Sequence, residues 1–125
     1  MIGYVTLGTN DLDKACGFYD ELLSLIGAKR MMEDENFVAW AVTPEAPSVA
    51  VTKPFNGEAS TVGNGVMVAL MVDSVELVTS MYNRAIALGG IDEGAPGPRG
   101  DSGFYAGYFR DLDGNKLNVF CMANS

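Results

Sequence analysis

The stretch from Tyr4-Val5-Thr6-Leu7 to Gly27 falls, at an offset of 63 positions, on Met67-Val68-Ala69-Leu70 to Gly90. Leu7 then matches Leu70, Leu12 matches Val75, Tyr19 matches Tyr82, Leu23 matches Ile86, Leu25 matches Leu88 and Gly27 matches Gly90. Two copies at one fixed offset describe a duplicated supersecondary unit, because a solenoid needs about three repeats or more to bury its faces. A function that draws on both copies belongs where they meet.

Working outward, residues 2–9 alternate as a strand does, with Tyr4, Thr6 and Gly8 on one face and Val5 and Leu7 on the other. Asn10 or Asp11 offers an N-cap, and Leu12, Ala15, Cys16, Tyr19, Leu22, Leu23 and Ile26 recur at helical spacing until Gly27. A short strand is expected around Ala28 to Met32. Phe37 to Val42 and Ser48 to Lys53 predict two more, joined by a turn through Pro44-Glu45-Ala46-Pro47.

The second copy repeats this order. Val66 to Val72 predicts a strand, Asp73 or Ser74 a cap, and Val75, Val78, Met81, Tyr82, Ala85, Ile86 and Leu88 a helix ending at Gly89-Gly90. Gly94 to Gly103 is so rich in Gly, Pro and charge that a loop over the site is expected there. Phe104 to Phe109 and Lys116 to Met122 predict a hairpin around Asp111-Leu112-Asp113-Gly114-Asn115, whose aspartates suit turn bonding better than acid and base chemistry. The expected fold class is α+β: two tandem βαβββ modules forming a curved mixed sheet around a cleft, helices outside. The chain, 1–125, reads as one domain, with module one at about 1–57, a linker at about 54–64 and module two at about 64–123.

Composition bounds the partners. Hydrophobic residues make up 48% of the chain, enough for a packed core. The apolar runs are far shorter than the roughly 20 residues that span a bilayer, so no membrane partner and a cytoplasmic location are expected. A formal net charge of −8 disfavours nucleic acid and suits a cationic compound. Cys16 and Cys121 show no metal-finger spacing and read as free buried thiols.

Gly3-Tyr4-Val5-Thr6-Leu7-Gly8-Thr9-Asn10-Asp11-Leu12-Asp13-Lys14-Ala15, the Phe18-Tyr19 pair and Phe109-Arg110-Asp111-Leu112-Asp113-Gly114-Asn115-Lys116-Leu117-Asn118 together resemble the glyoxalase / bleomycin-resistance / extradiol-dioxygenase superfamily, the vicinal oxygen chelate proteins. The resemblance spans nearly the whole chain. Metal-carrying members of that superfamily place a His in the first strand of each copy and a Glu in the last. Those positions fall here on Tyr4, on Met67, on Asn118 and on Val51 or Ala50. Divalent transition metals want imidazole, thiolate or carboxylate donors, and the chain contains no His at all. No metal and no cofactor are therefore expected.

Strand parity then assembles a candidate ligand-binding cleft. Lys116, Asn118 and Phe120 share one face of the last strand, and Tyr4, Thr6, Met67 and Ala69, with Met71, line the facing strands. Trp40, Phe37, Tyr105 and Tyr108 are expected to offer stacking surfaces, with Trp40 and Tyr108 named for the site. Alternation separates Phe37 from Trp40 and Tyr105 from Tyr108, so one member of each pair faces the cleft and the sequence does not say which. Arg99, in the Gly-Pro-Arg-Gly-Asp segment, is expected to hold a carboxylate or phosphate. The function expected is metal-free binding or sequestration of a small molecule, aromatic or cationic, by a homodimer. The alternative is a glyoxalase-like lyase or isomerase acting on a small carbonyl or glutathione-adduct substrate, for which no general base can be named.

Overall fold

A computed structural model describes residues 1–123. The first module runs β1 (Tyr4–Gly8), α1 (Leu12–Ser24), β2 (Lys29–Glu33), β3 (Phe37–Ala41) and β4 (Ser48–Thr52). The second runs β5 (Val68–Met71), α2 (Val75–Ala87), β6 (Ile91–Pro98), β7 (Phe104–Arg110) and β8 (Lys116–Met122). Each module makes its own four-stranded mixed sheet, ordered β1-β4-β3-β2 and β5-β8-β7-β6. The first strand of each is parallel to the last, and the remaining pairs are antiparallel.

The helices start where the duplication places them. Asp11 accepts a bond from Lys14 N at 3.1 Å, and Ser74, 63 residues later, accepts one from Leu77 N at 3.1 Å. Each cap satisfies an amide that the first helical turn leaves without a partner. From there α1 buries Ala15, Cys16, Phe18, Tyr19, Leu22 and Leu23, while α2 buries Val78, Met81 and Ala85. The two helices touch, each covers one face of its own sheet, and a single apolar cluster runs through both modules. Cys16 and Cys121 lie buried as free thiols in that cluster.

The Gly94 to Gly103 loop needs correction. Residues 91–98 form β6, paired with β7 from Ile91 opposite Arg110 to Pro98 opposite Tyr105. Its ladder shifts register between Asp92 and Gly94 and again between Gly94 and Gly97, which absorbs the glycines as bulges. Pro96 and Pro98 are tolerated because β6 is the edge strand, where a missing N–H costs no central ladder bond.

A buried carboxylate lies at the centre of the contact between the modules. Asp111, 3% exposed, follows β7 and folds the β7–β8 turn over itself: its Oδ1 accepts from Asp113 N and Asn115 N, both at 2.9 Å. Gly114 completes that turn at φ 90°, a conformation in which a side chain is strained. Oδ2 accepts from Asn115 Nδ2 at 3.0 Å and from the hydroxyl of Tyr19, on α1 of the other module, at 2.6 Å. Asn115 Nδ2 also donates to Gly8 O at 2.9 Å, and Asn10 N donates to Asp113 Oδ1 at 2.9 Å. The paired aspartates are thus structural, as turn bonding requires.

Two outcomes follow from this junction. Replacing Asp111 by Asn puts an NH2 group where backbone amides and a phenol already donate, and should lower unfolding stability by about 2–4 kcal/mol in urea titration. The Tyr19 phenol is held well above its ordinary value near 10, first by burial and then by the neighbouring Asp111. Because the folded state raises this pKa, the stabilisation is complete below about pH 10 and is lost as pH climbs further. Stability should fall steeply from about pH 10 upward, and Tyr19→Phe should flatten that fall, leaving the smaller part due to Tyr82, which Asp92 pushes up to about 12.

Candidate functional site

With one face of each sheet under a helix, the other face stays open, and strand parity decides what lies there. In β1 the pattern alternates as expected: Tyr4 and Thr6 are exposed, and Leu7 is buried. In the second module Met67, Ala69 and Met71 are exposed while Leu70 faces the core. On β8 Leu117, Val119 and Cys121 enter the core cluster, which sends Lys116, Asn118 and Phe120 to the open side.

Register resolves the aromatic pairs. Tyr108 lies opposite Asn118 and therefore shares its face, while Tyr105 packs against the core. Phe37 reaches the open face of the first sheet, where its ring meets Tyr4 edge-on at 6.2 Å. Trp40, expected to line the cleft, instead points the other way. It is 1% exposed, its ring packs on Tyr19 at 5.6 Å and its Nε1 donates to Asp20 at 2.8 Å. The reason is its odd spacing from Phe37 on one strand. Asp20 also holds Arg30 through two hydrogen bonds, and its carboxyl lies below the usual range because Arg30 and then Trp40 donate to it.

The open faces hold two separate hollows. One, about 390 Å³, belongs to the first module and is lined by Tyr4, Met31, Met32, Phe37, Ala39, Pro44 and Ser48. The other, about 660 Å³, lies between the 62–67 segment and the β7–β8 turn, with Met67, Arg110 and Lys116 in its wall. Both are of a size that takes small organic ligands. Tyr4 is in the first hollow and Met67 and Lys116 are in the second, so one chain does not bring all the expected cleft residues together.

The second sheet carries the more specific chemistry. Asn118 is 1% exposed, and its Oδ1 has no hydrogen-bond partner among the described residues. Beside it, the Tyr108 ring has Arg99 at 5.3 Å and Lys116 at 5.7 Å from its centroid. Arg110 pairs with Lys116 in register, donates to Gly114 O at 2.8 Å and forms an ion pair with Glu93 at 3.5 Å. Sequence reasoning passed over Arg110 and the Met32 wall of the first hollow. The first was legible, since Arg110 has the parity of Tyr108, whereas the second depends on how β2 crosses β3.

The positions that would hold a divalent metal can now be tested against the register. Ala50 faces Thr6 across β1 and β4 as Asn118 faces Ala69 across β5 and β8, so Ala50 is the internal counterpart of Asn118. Val51 belongs to the core. The four positions are then Tyr4, Met67, Ala50 and Asn118: a phenol, a thioether, a methyl group and an amide. This donor set does not fit a transition metal. No group of three or more His, Cys, Asp or Glu side chains suited to an ion occurs among the described residues. No helix there is long and apolar enough to cross a membrane.

Comparison with known proteins agrees with this architecture. The sequence profile described as Glyoxalase/Bleomycin resistance protein/Dioxygenase superfamily matches residues 1–119. A glyoxalase/bleomycin resistance protein from Albidiferax ferrireducens T118 is 32% identical, with a TM-score of 0.88 over 97% of this chain and 98% of that one. The fosfomycin resistance protein FosX from Listeria monocytogenes shares the fold at 17% identity and TM-score 0.72, over 97% of this chain and 92% of its own. Lactoylglutathione lyase from Agrobacterium tumefaciens does so at 23% identity and TM-score 0.69, over 97% and 92%. No curated protein sequence matches the chain.

The placement of Trp40 has a measurable consequence. Trp40→Phe removes the indole N–H and part of a buried ring, and should cost about 1–3 kcal/mol of unfolding stability while leaving the affinity for any cleft ligand unchanged. Tyr108→Ala should do the reverse.

Proposed function

Because the chain belongs to the glyoxalase/bleomycin resistance protein/dioxygenase superfamily, we propose that it binds a small organic molecule on the open faces of its sheets without metal-dependent chemistry. The observation that carries this reading is the donor set. Where the superfamily resemblance implies metal ligands, Tyr4, Met67, Ala50 and Asn118 supply no imidazole, thiolate or carboxylate. A shared fold does not transfer an activity whose reactive groups are missing.

We further propose that the binding unit is a homodimer. Tyr4, Met32 and Met71 stand 62%, 60% and 71% exposed on the open faces, apolar surface that a second copy would cover. A second copy placing its first-sheet face against the second-sheet face of its partner would join the two hollows into one cleft. That arrangement unites the expected ligand contacts Tyr4 and Thr6 with Met67, Ala69, Lys116, Asn118 and Phe120, and the rigid Tyr108 ring with Arg99. Stacking on the aromatics and methionines suits a flat organic body.

Protein purified without chelators should carry no stoichiometric zinc, nickel, manganese or iron by mass spectrometry. A bound ion at stoichiometry would overturn the metal-free reading, and chelator-insensitive turnover of the methylglyoxal–glutathione hemithioacetal would replace binding with catalysis. Light scattering at micromolar concentration should report a dimer, and Tyr4→Asp should shift it toward monomer.

A further inference from the structure

We infer that the open face of the second sheet is an anion subsite, in which Lys116 and Arg99 receive a carboxylate or phosphonate group of the ligand and Asn118 Oδ1 accepts a hydrogen bond from a hydroxyl or N–H that the ligand carries beside that group. The inference rests on the small-molecule reading above and assigns the ligand a chemical class opposite to the one that the net charge suggests.

Three observations converge there. First, neither Lys116 nor Arg99 has a carboxylate partner among the described residues, although acidic side chains outnumber basic ones sixteen to eight. Arg110 beside them is taken by Glu93, and the arginines elsewhere are paired to Asp20, Glu33 and Glu21. Lys14, Lys29 and Lys53 are unpaired as well, but Lys116 and Arg99 are the two cations among the described residues that lie against one aromatic ring, and charges more than about 8–10 Å away are screened at ordinary ionic strength.

Second, the Arg99 guanidinium is held in place before any ligand arrives. It donates to Gly97 O at 2.7 Å and to Ala95 O at 2.8 Å from the irregular part of β6, and lies over the Tyr108 ring. Gly94 makes room for it: a Cβ there would stand 3.3 Å from the guanidinium and 3.4 Å from the ring, at a φ of 151°. A guanidinium has five N–H donors, and with a third, longer bond from Nη1 to Pro98 O at 3.4 Å two of them stay free for an oxyanion. Fixing the fork in advance reduces the entropy lost when the anion binds.

Third, Asn118 has its Oδ1 buried and without a partner. An unpaired buried acceptor is costly, and native proteins retain few of them. An oxyanion carrying a hydroxyl or N–H close to its charge would satisfy Asn118 while its oxygens meet Lys116 and Arg99. The anionic end therefore lies on the second sheet and the apolar body extends toward the methionines and aromatic rings.

Four probes sharing one ring separate these possibilities: benzoate, phenylphosphonate, benzamide and benzylamine, compared by thermal shift at about 10 mM and constant ionic strength. Benzoate or phenylphosphonate should raise the melting temperature, and benzamide and benzylamine should do so less or not at all. The stronger of the two anions identifies carboxylate or phosphonate as the preferred group. Lys116→Gln and Arg99→Gln should each weaken the anion response by about tenfold, whereas Lys14→Gln, which removes the same charge from α1, should not. Variants are compared only where their ligand-free melting temperature matches the parent. A preference for benzylamine or benzamide, or an anion response that survives in both variants, would overturn the subsite while small-molecule binding stands. The absence of a response to every probe would also overturn it, and stoichiometric metal in the purified protein would sink the underlying reading instead.

Discussion

The structure depends on the Asp111 carboxylate, buried where the two modules touch. A buried charge is expensive unless its lone pairs are filled, and this one accepts two backbone amides, the Asn115 amide and the Tyr19 phenol. It therefore fixes three things at once: the β7–β8 turn, the position of α1 against the second module, and, through Asn115, the end of β1. The helices are held together by the Arg84–Glu21 ion pair and by a common apolar cluster, and α1 is tied to the second module by this junction, so the sheets present their remaining faces outward.

Those outward faces have diverged, although duplication gave them the same frame. The first is apolar, with Tyr4, Phe37 and Met32 around its hollow. The second gathers Arg99, Arg110 and Lys116 near a buried amide. Matching cap positions and helix spans show how closely the frame is retained, since Asp11 and Ser74 do the same work 63 residues apart. Side chains on an open face contribute little to folding and are free to change chemistry, whereas core positions are bound by packing. The overall charge of −8 describes the solvated periphery more than the site.

Much of the fold was legible because its signals are local. Two caps, two helical periodicities and the Asp-x-Asp-Gly-Asn turn each rest on neighbours in sequence, the 63-residue repeat shows the strand and helix signals twice, and those elements formed where the signals lie. The exception was β6, whose glycines and prolines signal a loop in isolation. Pairing with β7 overrode that signal, because an edge strand with bulges accepts residues that a central strand rejects. Trp40 was misplaced for a related reason: alternation says that it and Phe37 face opposite ways, but not which of them faces the helix.

By itself the sequence determined the duplicated βαβββ order, the absence of histidine and thus the poverty of metal donors, and the alternation along β1, β5 and β8, because these depend only on residue identity and spacing. Tertiary structure alone decided that Ala50 rather than Val51 is the counterpart of Asn118, and that Asp111 binds Tyr19 across the module boundary. It also decided that Arg99 and Lys116 both lie against one tyrosine ring. Such facts arise from strand register and from contacts between residues far apart in the chain, and side-chain periodicity, which repeats every two residues, is silent about both.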